Sequence, residues 1–172
     1  MSKKIILFGV AFGSLAAAAF FVYYSKQLYL SEQIVGKLFK ELALLVTTIV
    51  GVILCVININ RSSENKATLS QLILSGLMTG TVICFVVTIM HSYLLKAEPQ
   101  MINGYLDFMS ELKKEQGIKL GIEMEEIKSQ LQGMRDQFTS VFRYFFLQYS
   151  FVASISLLCA ALVGYINVKR RA

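Results

Sequence analysis

Long uninterrupted runs of apolar residues dominate the sequence and predict where the chain crosses a bilayer. The hydrocarbon core is about 30 Å thick and an α-helix rises about 1.5 Å per residue, so a spanning helix needs about 20 apolar residues. Four segments qualify without containing Asp, Glu, Lys or Arg: Ile5 to Tyr24, Leu42 to Ile59, Leu72 to Leu95 and Tyr144 to Val168. The pattern predicts an all-α fold, an integral membrane four-helix bundle.

The stretch between the third and fourth spans, residues 96–143, carries apolar residues at helical rather than continuous spacing. A first stripe comprises Ile102, Leu106, Met109 and Leu112. A second stripe, the hairpin seam, comprises Leu120, Met124, Ile127, Leu131, Met134 and Phe138. Together with the opening Glu98-Pro99, the two stripes predict an amphipathic helical hairpin.

The hairpin seam alternates steps of four and three residues, which is the spacing of a coiled-coil heptad. It continues in phase into the fourth span, so we expect one unbroken helix from the seam into the membrane. Packing of the two stripes on each other would bury the seam within the chain. A seam left open would instead recruit a second copy or another protein.

A shorter amphipathic pattern links the first two spans. Its apolar positions are Ile34, Val35, Leu38, Phe39 and Leu42, while Lys37, Lys40 and Glu41 occupy the other positions. This spacing predicts a short helix that lies at the membrane interface and connects the two spans.

The distribution of basic residues predicts the orientation, because loops rich in lysine and arginine stay in the cytoplasm. With both termini inside, the short cytoplasmic pieces carry Lys3, Lys4, Arg61, Lys66, Lys169, Arg170 and Arg171. Interfacial tyrosines support the same sidedness, since Tyr23, Tyr24, Tyr29, Tyr93, Tyr144 and Tyr149 fall at the predicted outer ends. We therefore predict an extracytoplasmic hairpin, with Lys169, Arg170 and Arg171 as an anionic-lipid anchor or a topology anchor at the carboxyl end.

Composition agrees with a membrane protein and excludes a soluble domain. Apolar residues make up 55% of the chain and charged residues only 16%. The net charge of +6 comes from basic residues that flank the apolar runs, so we expect no nucleic-acid partner.

The first span also resembles a signal peptide, but its apolar run continues beyond Ala16–Ala19 and favours a span.

Small residues four positions apart occur inside three of the spans. The pairs are Gly9 with Gly13, Gly76 with Gly80, and Ala160 with Gly164. Such pairs let two helix backbones approach closely in lipid, where dispersion contacts replace the hydrophobic drive. They predict helix packing, either within the bundle or against a partner.

Residues that could carry chemistry are sparse. His91 stands without an acidic residue or cysteine at metal-ligand spacing and is interpreted as a polar helix end at the membrane surface. Cys55, Cys84 and Cys159 lie in apolar stretches and are interpreted as packing residues. No nucleophile motif or phosphate-binding loop appears, so we expect no enzyme, no metal and no cofactor.

The layout as a whole resembles an uncharacterised family of small four-span bacterial inner-membrane proteins. The likeness rests on Lys3-Lys4 before a glycine- and alanine-rich first span, on Glu98-Pro99 and on the amphipathic approach to span four. It implies a bacterial inner membrane and leaves function open. Two hypotheses remain: an accessory or scaffold subunit bound to another membrane protein such as a glycosyltransferase, or an oligomeric transporter, channel or lipid-handling protein.

Overall fold

A computed structural model describes residues 2–31, 33–64 and 66–169 of the chain, and within these ranges the fold consists of helices joined by short connections. The four longest helices are α1 (Ser2–Ser25), α3 (Phe39–Ser62), α4 (Leu69–Ala97) and α7 (Val141–Lys169). Three shorter helices are α2 (Ile34–Lys37), α5 (Pro99–Lys119) and α6 (Met124–Thr139). No strand occurs within the described residues.

The four long helices coincide with the four predicted spans. The shortest have 24 residues, which is about 36 Å of helix and exceeds the hydrocarbon thickness. All four are long and apolar enough to cross a membrane. The prediction of a multi-pass, all-helical membrane protein is confirmed at this level.

Helix α4 contacts α1, α3 and α7 and is the most buried of the four long helices. Its amino end is fixed by a capping box, in which the Thr68 hydroxyl accepts from the Gln71 N–H and the Gln71 side chain accepts from the Thr68 N–H. Its buried stripe is rich in small and hydroxyl-bearing residues, including Ser75 and Thr79. Their hydroxyls donate to the carbonyl four residues earlier, so they need no other partner.

The link between α1 and α3 is less helical than its spacing predicts. One 3-10 turn covers Leu28–Leu30 and α2 has a single turn, after which the chain bends at Leu38 and enters α3. Ile34 and Val35 are 74% and 64% exposed. An interfacial location would place these side chains against lipid.

Helices α5 and α6 pack against each other in opposite directions. Pro99 opens α5, and Gly121, with φ of +69°, turns the chain toward α6. Gly117 near the end of α5 lies beside Ile127 near the start of α6, and Asp107 pairs with Arg135 further along.

The seam residues differ sharply in exposure. Ile127 and Met134 are buried, Leu131 and Phe138 are partly buried, and Leu120 and Met124 are exposed. The seam is therefore covered where the helix pair joins the bundle and open where it turns.

The prediction of one unbroken helix from the seam into span four is wrong. The chain leaves helical geometry at Ser140, whose ψ is 111°, and the Ser140 hydroxyl accepts from the Arg143 N–H at 3.4 Å. A serine in this position acts as the amino-terminal cap of α7 and begins a new helix. The heptad spacing of apolar residues continues across the break, but the helical backbone conformation is interrupted.

Candidate functional site

Lys40 is buried in the bundle end that carries α5 and α6. It lies on the inward stripe of α3, one turn from Leu44 and two turns from Thr48, and only 3% of it is exposed. The sequence placed Lys40 among the polar positions of the connecting segment, and that interpretation is wrong.

Four aromatic rings surround the Lys40 ammonium and form what we call the aromatic cage: Tyr23, Tyr24, Tyr105 and Phe138. The Lys40 Nζ lies 4.1 Å from the ring centroid of Tyr105 and 5.0 to 5.5 Å from the other three. Ring faces carry negative charge density, so they attract a cation that burial has removed from water. Lys40 thereby joins α1, α3, α5 and α6 at one point.

The cage rings also pack on one another. Tyr105 contacts Tyr23, Tyr24, Tyr29 and Phe138, with centroid separations of 5.5 to 6.0 Å. Burial raises the pKa of the Tyr105 phenol, and the charge of Glu41 raises it further. Tyr105 therefore stays neutral at ordinary pH. The Tyr23 hydroxyl donates to the Lys37 carbonyl at 3.3 Å.

His91 holds α6 in place beside the aromatic cage. Its Nε2–H donates to the Phe138 carbonyl at 2.7 Å, which caps one of the last carbonyls of α6. The imidazole stacks on the Tyr144 ring at 3.6 Å and 9°. His91 is 1% exposed, so the interpretation of it as a polar tip at the membrane surface is wrong.

Several polar atoms near the aromatic cage are buried without a hydrogen bond of good geometry among the described residues. They are the hydroxyls of Tyr24 and Tyr144 and the Nδ1 of His91. Buried polar atoms are usually hydrogen-bonded. The Tyr24 hydroxyl interacts with Lys40 and the Tyr144 hydroxyl with Gln148, which leaves the His91 Nδ1 as the atom of the three without a described partner. Four of the tyrosines predicted at the outer ends of the spans are buried in the protein core: Tyr23, Tyr24, Tyr29 and Tyr144. They are therefore not exposed interfacial rings.

A pocket of about 230 Å³ lies next to this cluster, between α1, α3 and α7. Its walls are Phe20, Glu41, Leu44, Leu147, Gln148 and Phe151. The Glu41 Oε1 lies 3.6 Å from the Lys40 Nζ, and half of the Glu41 side chain is exposed. The pocket therefore combines one carboxylate and one amide with apolar walls, a setting for binding an amphipathic molecule.

The predicted helix-packing residues lie away from this site, at contacts between spans. Gly9 and Gly13 lie against Val82 and Val86, so α1 packs closely on α4. On the other side of α4, a Cβ added to Gly76 would meet Ala160, one added to Gly80 would meet Ser156, and one added to Gly164 would meet Leu69. Of the predicted lipid anchor, Lys169 ends α7, while Arg170 and Arg171 lie outside the described residues.

Periodicity holds the signal that sequence reasoning missed. Lys40 is in phase with Leu44 and Thr48, and His91 is in phase with Thr88 and Leu94. Projecting each buried stripe one turn further would have placed both residues inside. Cys55 and Cys84 are buried and Cys159 is partly buried, and among the described residues no three His, Cys, Asp or Glu side chains are grouped to hold a metal.

Comparison with known proteins adds a family. No curated protein and no solved structure matches the chain. The family model described as "Protein of unknown function (DUF4199)" matches residues 7–169, which include all but the start of the first span, the other three spans, the aromatic cage and the helix pair. The four apolar helices agree with the small four-span membrane family that the layout resembles. The chain therefore belongs to the DUF4199 family.

Proposed function

We propose that the protein is a non-catalytic accessory or scaffold subunit of a bacterial envelope complex, which binds another integral membrane protein through the far end of α5 and α6. The orientation inferred from the basic residues places both termini in the cytoplasm and this helix pair outside it. A glycosyltransferase or another envelope-assembly enzyme is the kind of partner we expect.

The observation that carries the proposal is the exposed apolar tip of the helix pair. Ile118, Leu120 and Met124 are 56%, 76% and 45% exposed, and we call them the tip. They lie at the turn between α5 and α6, and none of them belongs to one of the four long apolar helices. A group of exposed large apolar side chains rimmed by polar residues is typical of an interaction site.

Charged side chains around the tip favour a specific partner. Lys114 and Lys119 are exposed at the end of α5, and Glu123, Glu125 and Glu126 are exposed at the start of α6. Such a rim steers association and excludes partners with mismatched charge. The base of the same helix pair is fixed to the bundle by Lys40 and His91, so the tip is presented on a rigid support.

Crosslinking from the tip tests this proposal. A photo-crosslinking amino acid at Leu120 is compared with the same group at the exposed polar residue Ser129, in cells, followed by purification in mild detergent. We expect the Leu120 probe to capture a different integral membrane protein in stoichiometric amount. Leu120→Ser with Met124→Ser should abolish recovery of that protein.

The alternative is an oligomeric transporter, channel or lipid-handling protein. Capture of a second copy alone, together with solute or lipid movement in vesicles by the pure protein, would replace the scaffold proposal with this one. Equal labelling from Leu120 and Ser129 would refute the tip as the interaction surface.

A further inference from the structure

The pocket between α1, α3 and α7 has an apolar interior that reaches the surface of the bundle. Phe20 and Leu44 are each 2% exposed and form its inner walls. Leu147 and Phe151 are 45% and 44% exposed, and both lie on a membrane-spanning helix. In a bilayer, their exposed surfaces contact lipid, so the pocket is accessible from the membrane.

Glu41 supplies a half-exposed carboxylate to this pocket. Within the described residues its ion-pair partner is the buried Lys40, whose Nζ lies 3.6 Å from the Glu41 Oε1, while half of the Glu41 side chain is exposed. Lys40 itself is held by the four rings of the aromatic cage. A carboxylate accepts several hydrogen bonds, and a carboxylate on a membrane-spanning helix is costly without a cation. Oε2 accepts no hydrogen bond from the described residues and is free to bind one.

The chemistry of the pocket selects a ligand with an N–H-bearing cation on an apolar body. A primary ammonium offers three donors, whereas a quaternary ammonium offers none. The Gln148 amide adds a donor for an ester or phosphate oxygen beside it. The volume of about 230 Å³ is below the range of about 300 to 1,000 Å³ that encloses drug-sized ligands, so a headgroup fits while its chains stay outside.

We propose that this pocket binds the ammonium headgroup of an aminophospholipid, with Glu41 accepting from the ammonium and the acyl chains lying along Leu147 and Phe151. The apolar wall on the lipid side favours a lipid over a free amine. The bound leaflet is the one on the side of α5 and α6, because Glu41 stands in the first turn of α3 at that end.

Native mass spectrometry of the full-length chain tests the proposal. The protein is purified in mild detergent, stripped of lipid and titrated with phosphatidylethanolamine, phosphatidylcholine or phosphatidylglycerol of identical chains. We expect phosphatidylethanolamine to bind about tenfold more tightly than phosphatidylcholine, since only the former donates charge-assisted hydrogen bonds to the carboxylate.

Two variants locate the site. Glu41→Gln removes the charge, and Leu147→Trp fills the pocket while leaving the pair of Lys40 and Glu41 intact. Each should lower the affinity for phosphatidylethanolamine about tenfold. Glu115→Gln, at an exposed carboxylate on α5, is the matched control and should bind like the wild type.

The remaining outcomes overturn the proposal. Equal binding of the three lipids would exclude ammonium recognition, and unchanged binding in Leu147→Trp would exclude this pocket even if Glu41→Gln failed to fold. Equal competition by soluble phosphoethanolamine would show that a free amine, not a lipid, is the ligand. The tip variants Leu120→Ser and Met124→Ser should bind phosphatidylethanolamine like the wild type. Failure of the scaffold proposal would therefore leave the lipid proposal standing, and failure of the lipid proposal would leave the scaffold proposal standing.

Discussion

The middle of the bundle and its end beside α5 and α6 achieve close helix packing in different ways. Around the middle of α4, glycines bring backbones together, so that Gly76 faces Ala160 and Gly80 faces Ser156. At the end, large rings fill the space, and a lysine and a histidine are buried among them. The first region relies on the absence of side chains and the second on their size and charge.

This difference follows from what each environment offers a polar group. Inside the hydrocarbon, dispersion contacts between close backbones are the main source of helix association, so small residues serve best. Near the boundary, a buried cation or imidazole is tolerated if carbonyls, rings or a carboxylate satisfy it. Polar side chains can therefore determine how the helix pair is attached. Substitutions in the two regions should destabilise the protein for different reasons.

The largest effect we expect is from His91→Ala. The change leaves the Phe138 carbonyl without its donor and removes the ring stacked on Tyr144, so the free energy of unfolding should fall by about 3 kcal/mol. Unfolding by SDS titration in detergent micelles measures it. His91→Phe keeps a ring for stacking and should lose only the hydrogen-bond part. A loss below about 0.5 kcal/mol for His91→Ala, the size usual at surface sites, would contradict this role.

Gly76→Ala and Gly80→Ala should each reduce the free energy of unfolding by about 2 kcal/mol, since the added Cβ overlaps a neighbouring helix. Gly133→Ala is the matched control, because nothing lies within 4 Å of a Cβ at that position of α6. Higher helix propensity should make the control neutral or stabilising by up to about 1 kcal/mol. Equal effects at the three glycines, in the same SDS titration, would show that α4 and α7 are not tightly packed.

Much of the fold could be predicted from the sequence because hydrophobic burial in lipid needs long apolar helices. Every predicted span end lies within three residues of a helix end. The break at Ser140 was missed because heptad spacing describes side chains, and a cap can restart a helix without disturbing that spacing. Periodicity alone does not report backbone continuity.

The site could not be predicted because its parts come from distant segments. The neighbours of Lys40 along the chain indicate a solvent-exposed position. Its burial becomes favourable because the rings of Tyr105 on α5 and Phe138 on α6 contact its ammonium group. His91 likewise finds its acceptor 47 residues away. Such pairings depend on tertiary packing, which spacing along one helix does not encode.

Lys40→Met tests the aromatic cage, and its expected effect on stability is smaller than that of the glycine substitutions. Methionine keeps an apolar stem of similar length but loses the attraction to the rings and to Glu41, so we expect a loss of about 1 kcal/mol. The effect should be local, with faster hydrogen exchange of α5 amides around Tyr105. The neighbouring exposed residue supplies the control, Lys37→Met, which should exchange like the wild type. Slower exchange in Lys40→Met would mean that the buried charge destabilises the attachment.

The smallest effect on stability is expected at the tip. Leu120 is 76% exposed and is absent from the buried core, so Leu120→Ser should change the free energy of unfolding by less than about 0.5 kcal/mol in the SDS titration. A loss above about 1 kcal/mol would mean that the tip packs within the chain, and the exposed surface would then need no partner. A neutral result makes Leu120 dispensable for the fold. An exposed apolar side chain that the fold does not use is what the proposed partner-binding tip requires.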